Sequence, residues 1–392
     1  MKERVHTLVL DASNPHWKTV AADTVLQGVL RMQSYDAVPE RLRRTRALRG
    51  LGRFRLSYLD DWRAALCESP DLAVQVCNIS NLVQYAACLR TVRDFDLIVV
   101  LHNAAASDLS LLLKGARRLR GRRGKLAVFI GNEYDVMADK KKFLRTAQAD
   151  YVCSQLPLES ARWLYADCAG TEVIPMPHAL NPDRYRPPEN GAERPLDVGF
   201  RGWLYRLFIG DVERTVLIRT LIETGQRAGL NCEFHEGTTP ASEWVDFLRR
   251  CKATVGAESG SRYLDRQGEL VSAAKAYEEA HPEAEFEEIF ERFFAEPSVD
   301  FVSGKCISSR HFEAIGTKTC QILLEGDYNS ILEPDVHYIS VGRDLSNIEG
   351  ALARFAEDEY RQAIMDRAHE HVMGGHTYAH RVQALVGATG FA

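Results

Sequence analysis

Short apolar runs alternate with segments of helical periodicity along almost the whole chain. In the first half, apolar runs of strand length occupy residues 7–10, 72–76, 96–101, 126–130, 150–153 and 172–174. Between them, apolar residues recur at helical spacing in residues 81–92, 108–119, 140–147 and 158–166. Nearly continuous apolar strands joined by helices predict a parallel sheet that is covered on both faces and has right-handed crossovers.

The alternation stops at residues 181–195, NPDRYRPPENGAERP, which hold four prolines, many charges and no periodicity. This composition is typical of a linker. The alternation then resumes, with strands predicted at residues 196–202, 231–235, 253–257, 320–324 and 337–341 and helices at 214–228, 242–251 and from 346 onward. Since 392 residues are also many for one core, we expect two α/β domains.

Residues 265–300 do not fit this alternation. They contain eleven acidic and three basic residues at helix-forming spacing, which predicts a helical insertion in the second domain. Its charge has two interpretations, a solvated face or a docking surface for a basic partner.

The composition narrows the class of protein. The net charge of −5 argues against a general nucleic-acid binder, and no apolar run approaches the roughly 18 residues of a membrane span. The apolar part of the N-terminus is short and lacks a cleavage site, so we interpret it as a first strand and not as a signal peptide. The nine cysteines lack zinc-site spacing, which fits free thiols in a reducing cytoplasm.

Polar residues follow the predicted strands in both halves, at the edge where ligands bind in parallel α/β sheets. Neither of the two common glycine-rich phosphate loops occurs after a strand. A bound diphosphate would therefore need helix N-termini and basic side chains. Cations near predicted strand ends or helix starts are Arg201, Arg206, Lys305 and Arg310. The alternative is that each is an ordinary surface charge.

Three stretches resemble nucleotide-sugar glycosyltransferases of the GT-B fold, particularly the group-1 family and its CgeB-like relatives. PHALNPDRYRP resembles the end of the N-terminal domain, and RPLDVGFRGWLYR the first strand and donor-side loop of the C-terminal domain. SSRHFEAIGTKTCQILLEGD, with LEPDVHYISV, SNIEGAL and HTYAHRV after it, resembles the nucleotide-sugar motif and the end of the fold. The likeness covers roughly the last 220 residues, without the acidic insertion.

The resemblance implies two Rossmann-like parallel-sheet domains that face a central cleft. An acceptor-binding domain would span residues 1–185 and a linker residues 186–195. A nucleotide-sugar-binding domain would span residues 196–375, with the acidic insertion at about 262–300. The last residues, 376–392, would form a helix that packs back on the first domain.

The resemblance also implies roles for individual residues. Glu313 would accept hydrogen bonds from the ribose of the donor, while Ser308 and Arg310 would face its diphosphate or sugar. The alternative for Glu313 is a first-turn glutamate that complements the helix dipole. Arg310, with Arg201, Arg206 and Lys305, would stabilise the leaving phosphate without a metal ion. Group-1 enzymes carry a second glutamate eight positions before the first, where this chain has Lys305, so the CgeB-like variant is the closer match.

The reaction needs a general base in the first domain only if it inverts the anomeric centre. Candidates are His16, which follows the first predicted strand, and Glu133 or Asp135, which follow the fourth. If the reaction retains configuration, these residues would bind the acceptor. The sequence leaves both possibilities open.

Basic residues are concentrated at 41–55 and 114–125, in the predicted acceptor half. They form either solvated helix faces or a patch that contacts the inner membrane surface. No nucleic-acid recognition motif accompanies them, so we expect no nucleic-acid partner. The expected location is the cytoplasm, with peripheral membrane contact as the further possibility.

The function that the resemblance implies is a hexosyltransferase-type enzyme (EC 2.4) with no permanent cofactor. Its donor would be a nucleotide-diphosphate sugar and its acceptor a glycan, a lipid-linked glycan or a small molecule. It would act in the biosynthesis of a glycan, a polysaccharide or a glycosylated metabolite. The alternatives are a nucleotide-sugar epimerase and a non-catalytic binding or assembly module. The sequence specifies neither the sugar nor the oligomeric state.

Overall fold

A computed structural model describes residues 3–13, 17–29, 57–189, 192–295 and 302–391. The chain forms two compact units. The first comprises Met1–Met176, Arg266–Gly268 and Val382–Ala392, and the second comprises Pro177–Asp265 and Glu269–Arg381. The domain limits expected from the sequence, with a linker at residues 186–195, stay a prediction.

The first unit contains a six-stranded sheet in the order β2-β1-β3-β4-β5-β6. Its strands are β1 (Val5–Asp11), β2 (Leu72–Asn78), β3 (Leu97–Val100), β4 (Lys125–Ile130), β5 (Tyr151–Ser154) and β6 (Glu172–Pro175). Every neighbouring pair is parallel. The four residues of β3 are all apolar and all buried, as expected for a central strand covered on both faces.

Helices connect these strands, as the periodicity predicts. Those of the first series are α1 (Trp17–Asp23), α2 (Ser57–Glu68), α3 (Leu82–Arg90), α4 (Ser110–Arg120), α5 (Met137–Ala147) and α6 (Leu158–Leu164). In α4 the buried residues include Leu112, Ala116 and Leu119, at the spacing of one helix face.

The second unit contains a five-stranded parallel sheet in the order β13-β12-β9-β7-β8. Its strands are β7 (Leu196–Gly202), β8 (Cys232–Glu236), β9 (Cys251–Gly256), β12 (Cys320–Leu324) and β13 (Ile339–Val341). A separate antiparallel pair consists of β10 (Tyr263–Leu264) and β11 (Val302–Ser303). In both main sheets the first strand lies between the second and the third, which creates a switch point at its carboxyl end.

Two apolar cores cover the faces of this second sheet. The helices of the second half of the chain are α7 (Glu213–Arg227), α8 (Ala241–Arg250), α9 (Glu269–Ala280), α10 (Phe286–Phe293), α11 (Ser309–Gly316), α12 (Ile348–Ala356), α13 (Asp358–Gly375) and α14 (Tyr378–Ala388), of which the last lies mostly in the first unit. Ile322 of β12 packs in the core with α7 and α12, whereas its neighbour Leu323 packs in the core with α8 and α11. This alternation follows from the two-residue period of a strand.

The single long helix predicted from residue 346 onward is wrong, because two helices form there and Glu357 separates them in an extended conformation. Phe355 and Ile364 are both buried in the same core. Nine residues apart on one continuous helix, they would point to opposite sides. The break allows both side chains to reach that core.

The acidic segment forms α9 and α10, and these helices pack on the loop that follows β7. Leu207 and Phe208 of that loop contact a small core that includes Ala274, Ile289 and Phe294. Glu278 of α9 pairs with Arg206 at 3.0 Å and accepts the Phe208 N–H at 3.1 Å.

Phe294 lies directly over Gly210 of the same loop. A Cβ atom at position 210 would come within 2.5 Å of the Phe294 ring, and Gly210 has a φ of +70°. Only glycine therefore fits this position without displacing the ring.

Candidate functional site

Polar side chains gather at the carboxyl edge of the second sheet, near the ends of β7 and β9. A narrow pocket of about 40 Å³ opens there. Its polar lining comes from Arg201, Arg214, Thr254, Ser308, Arg310, His311 and Gln321. Gly199 and Gly256 also line it, so backbone replaces side chains at two positions of the wall.

Helix α11 begins at this pocket. Its N-cap is Ser308, whose N–H donates to Nδ1 of His311 at 3.1 Å. The N-terminus of α11 contributes partial positive charge and backbone N–H groups to the pocket.

The pKa of His311 is lowered to about 4, mainly by burial and further by the nearby cations Arg214 and Arg310. In the unfolded chain the imidazole binds a proton below about pH 6.5. The unfolded state therefore holds more protons between pH 6.5 and pH 4, and stability falls as the pH is lowered through this window. We expect His311→Asn to reduce this loss by up to about 1.4 kcal/mol per pH unit.

Urea denaturation of both proteins at pH 7.5, 6.0 and 5.0 measures this difference in pH dependence. Asparagine at position 311 retains an acceptor for the Ser308 N–H but does not titrate. Parallel pH profiles of the two proteins would show that His311 is not protonated on unfolding.

Glu313 lies on α11 beside an indole of α8. Its Oε2 accepts a hydrogen bond from Trp244 Nε1 at 2.7 Å, and the residue is 4% exposed. Glu313 is the fifth residue of α11, which has no acidic residue in its first turn. The alternative interpretation as a first-turn glutamate is therefore wrong.

Arg310 stacks on the same indole. Its guanidinium lies 4.7 Å from the centre of the Trp244 ring, and Nη1 donates to the Arg201 carbonyl oxygen at 2.6 Å. Arg310 forms no ion pair within the described residues. Its positive charge therefore remains available to an anionic ligand.

The other three predicted cations are all paired with acidic residues. Arg201 Nε contacts Glu233 Oε1 at 2.6 Å, and Arg206 pairs with Glu278 of the acidic segment. Lys305 pairs with Asp211, whose side chain is 2% exposed. Asp211 also accepts the Glu213 N–H at 2.8 Å, so the pair connects Lys305 to the start of α7.

Arg214 is the cation that the sequence reasoning missed. It is the second residue of α7, lies over the Tyr205 ring at 4.6 Å and lines the pocket. Among the described residues its Nε has no hydrogen-bond partner and its guanidinium no ion pair. Its position at a helix start, soon after a strand, was the available signal.

A second donor in the pocket is unpaired. Gln321 of β12 is 3% exposed, and its Nε2 has no hydrogen-bond partner within the described part of the chain. Buried N–H donors are nearly always satisfied in proteins. The pocket is therefore rich in donors and cations, a chemistry that suits an oxygen-rich anion.

The candidate bases Glu133 and Asp135 lie in the first unit, in the loop between β4 and α5. Glu133 is buried and accepts hydrogen bonds from Ser154, Tyr165 and Gln155 at 2.7, 2.8 and 2.9 Å. Burial raises the pKa of its carboxyl group despite these bonds. This enclosure favours a structural role for Glu133, whereas Asp135 is partly exposed.

A buried lysine supports the same loop. Lys140 Nζ donates to the carbonyl oxygens of Gly131 and Asn132 at 2.9 and 3.0 Å. Burial lowers its pKa to about 8, although the carboxylates of Asp135 and Glu133 oppose the shift. These two hydrogen bonds hold the backbone of the loop that carries Asp135.

His16 and the basic stretch 41–55 lie outside the described residues. In the stretch 114–125, the exposed basic residues lie along α4, in the turn after it and at the start of β4, namely Lys114, Arg117, Arg118, Arg120, Arg123 and Lys125. This arrangement is compatible with both interpretations of the stretch, which stay predictions.

Residues 260–387, about a third of the chain, match the family model described as glycosyl transferase-like. Among curated proteins, no sequence matches the chain. Solved glycosyltransferase structures match it over nearly its full length, with 8–12% sequence identity.

One is an alpha-glucosyltransferase in complex with UDP-glucose and DNA containing an abasic site, with 8% identity, a TM-score of 0.56 and coverage of 99% of this chain and 100% of that chain. An alpha-glucosyltransferase in complex with UDP and DNA containing an HMU base has 8% identity, a TM-score of 0.52 and the same coverage. T4 phage BGT in complex with UDP-glucose has 12% identity, a TM-score of 0.50 and full coverage of both chains. The chain has the GT-B fold.

The GT-B fold and the likeness to its glycosyltransferases are thus confirmed as the sequence predicts. The family match includes Lys305, Ser308, Arg310 and Glu313, and it also includes the acidic segment. The family match begins at residue 260. The predicted likeness begins earlier, because it includes the end of the N-terminal domain. The CgeB-like subgroup and the roles of single residues stay predictions.

Two further findings concern the described part of this GT-B chain. No helix there is both long and apolar enough to cross a bilayer. No three or more His, Cys, Asp or Glu side chains cluster there in an arrangement that could bind a metal ion.

Proposed function

We propose that the chain is a glycosyltransferase that moves a sugar from a nucleotide-diphosphate sugar to an acceptor hydroxyl. The observation that carries this proposal is the pocket in the second unit, where, among the described residues, Arg214 and Arg310 have no ion pair and Gln321 Nε2 has no hydrogen-bond partner. Arg214, Arg310 and Gln321 present N–H groups there beside the N-terminus of α11. The match of residues 260–387 to a glycosyl transferase-like family supports the same function.

The diphosphate would lie across the mouth of the pocket, because about 40 Å³ is far below the 300–1,000 Å³ of a typical ligand site. Arg214, Arg310 and the backbone at Ser308 would contact its oxygens. These groups would also stabilise the charge that develops on the leaving phosphate. In this proposal guanidinium groups, and not a metal ion, neutralise the leaving group.

The ribose would bind at Glu313. Its carboxylate is held by the Trp244 indole at 2.7 Å, so its orientation is fixed before the ligand arrives. A carboxylate accepts strong hydrogen bonds from hydroxyl groups. Arg201, Arg206 and Lys305 would act less directly, since acidic partners already engage them.

The acceptor would bind to the first unit. If the reaction inverts the anomeric centre, Asp135 and His16 remain the candidate bases, and Glu133 would maintain the loop that carries Asp135. The acceptor is a glycan, a lipid-linked glycan or a small molecule in this proposal. UDP is the first nucleotide to test, since the solved alpha-glucosyltransferase binds UDP-glucose.

Thermal-shift and calorimetric titration of UDP, GDP, dTDP and ADP test the proposal on wild type and Glu313→Ala. We expect one nucleotide to stabilise the wild type by mass action. We expect the variant to bind it roughly 10- to 150-fold more weakly, since a hydrogen bond to a charged group contributes about 1.5–3 kcal/mol. Glu349→Ala, which removes an exposed glutamate from the first turn of α12, is the matched control.

Two results would contradict this picture in different ways. If no nucleotide binds the wild type at millimolar concentration, the transferase proposal fails and a non-catalytic module is favoured. If a nucleotide binds both proteins equally, nucleotide binding stands but Glu313 does not contact the ribose.

A further inference from the structure

Two of the nine cysteines lie against each other in the first unit. Cys77 is the last residue but one of β2, and Cys88 is the third residue from the end of α3, the helix that follows β2. Both are free and buried, at 0% and 3% exposure. The Cys77 thiol donates a hydrogen bond to the Cys88 sulfur. The two sulfur atoms are therefore already in contact between the strand and the helix.

A second donor from β2 also contacts the Cys88 sulfur. Gln75 lies two residues before Cys77 and therefore on the same face of the strand, and its Nε2 donates to Cys88 Sγ at 3.8 Å. Hydrogen bonds to a sulfur favour its thiolate form. The pKa of Cys88 is lowered, mainly by the hydrogen bond from Cys77, although burial opposes the shift. The pKa of Cys77 is raised by the same hydrogen bond and further by burial.

The two thiols also differ in their access to small molecules. Cys88 lines a pocket of about 810 Å³ whose walls come largely from β2 and α3, whereas Cys77 is completely buried. Cys67 of α2 lines the same pocket, but the pKa of its thiol is raised, mainly by burial. Since the thiolate is the nucleophile, a small oxidant in this pocket would react first at Cys88.

We propose that Cys77 and Cys88 form a reversible redox pair, in which a hydroperoxide oxidises Cys88 and Cys77 then completes a disulfide bond. A second thiol in contact captures the sulfenic acid before it is oxidised further, which keeps the reaction reversible. Because the sulfur atoms already meet, only a small approach of the two side chains is needed to reach a bond length of about 2.05 Å. This pair lies in the first unit and does not depend on the proposed donor site.

Two steps convert the two thiols into the disulfide. In the first, the Cys88 thiolate attacks one oxygen of the hydroperoxide, so that an S–O bond forms and the O–O bond breaks. The leaving oxygen takes up the proton that Cys88 released and departs as an alcohol, or as water from hydrogen peroxide. In the second, the Cys77 sulfur attacks the Cys88 sulfur, the S–O bond breaks and water leaves with the Cys77 proton. Two electrons thus pass from the thiols to the peroxide.

Hydrogen peroxide treatment of the reduced protein, followed by blocking of the remaining thiols and mass spectrometry, tests this pair. Tyr85 lies between the two cysteines in the sequence, so chymotrypsin separates them unless a disulfide joins their peptides. We expect linked peptides about 2 Da lighter than the two reduced ones, and dithiothreitol should reverse the link. The link should form at least about tenfold faster than oxidation of Cys153, whose pKa is raised by complete burial.

Three variants test the order of the two steps. Cys77→Ser should stop after the first step, and dimedone, which reacts with sulfenic acids, should then label Cys88. Cys88→Ser should leave Cys77 reduced. Cys67→Ser is the matched control, since it removes the other thiol that lines the pocket, and it should form the disulfide at the rate of wild type. Circular dichroism of the variants checks that the fold is retained.

Three results would overturn the proposal. Wild type could keep both thiols reduced while Cys67 is oxidised, Cys67→Ser could lose the disulfide, or linked peptides could appear only after urea has unfolded the chain. Each would show that the contact between Cys77 and Cys88 in the folded protein does not react. The first and third results are measured on wild type, so a variant that fails to fold does not affect them.

Discussion

Arg214→Ala is expected to lower kcat/KM for sugar transfer by about 10²- to 10³-fold, as loss of a preorganised donor to developing charge does in other enzymes. Arg214 lines the pocket and has no ion pair among the described residues. Its charge is therefore not neutralised by the protein and can act on the leaving phosphate. The side chain is held over the Tyr205 ring at 4.6 Å, so little conformational entropy is lost when the donor binds.

Initial rates with donor and acceptor, together with calorimetric nucleotide binding, measure this effect. Arg214→Lys keeps the charge but not the planar fork, and we expect an intermediate loss. The matched control is Arg206→Ala, since Arg206 lies in the same segment but pairs with Glu278 and is 64% exposed. A loss for Arg206→Ala as large as that for Arg214→Ala would contradict the distinction between paired and unpaired cations.

Lys305→Met is expected to destabilise the fold by about 3–5 kcal/mol, the usual effect of removing one partner of a buried ion pair. Asp211 has a side chain that is 2% exposed, and Lys305 is its salt-bridge partner. Without the lysine this carboxylate would remain buried with no opposite charge beside it. Because Asp211 also accepts the Glu213 N–H, the start of α7 would be strained as well.

Urea denaturation of Lys305→Met, Asp211→Asn and the double variant measures the coupling. The double variant should recover most of the lost stability, since asparagine still accepts the Glu213 N–H without carrying a charge. Lys305→Glu, which introduces the glutamate usual in group-1 enzymes, should be the least stable because two carboxylates would then meet. Equal stability of Lys305→Met and wild type would exclude the pair as a stabilising contact.

The strands were the most predictable part of the fold. The predicted bounds of β7 and β12 agree with the observed Leu196–Gly202 and Cys320–Leu324. The break at Glu357 was missed, because neither glycine nor proline interrupts the helical pattern there. The break is determined by the burial of Phe355 and Ile364 in one core. Periodicity along the chain does not show which core a residue packs in.

The candidate site was predictable only in part. Ser308, Arg310 and Glu313 were found because they lie together in one resembling motif. Whether each of the other cations forms an ion pair depends on a residue far away in the sequence. Arg201 pairs with Glu233, Arg206 with Glu278 and Lys305 with Asp211. Arg214 was overlooked as a residue of an ordinary helix. Its proposed role rests on the lack of an ion-pair partner among the described residues, which no local sequence pattern indicates.

The packing of Phe294 on Gly210 and of Glu278 on Arg206 joins two segments that are far apart in the sequence. In a relative without helices α9 and α10, no ring would lie against position 210, although its φ of +70° would still favour glycine. Arg206 would lose its acidic partner, and Leu207 and Phe208 would be uncovered. A substitution in the acidic segment or in the loop after β7 is therefore constrained by the residue that it contacts in the other segment.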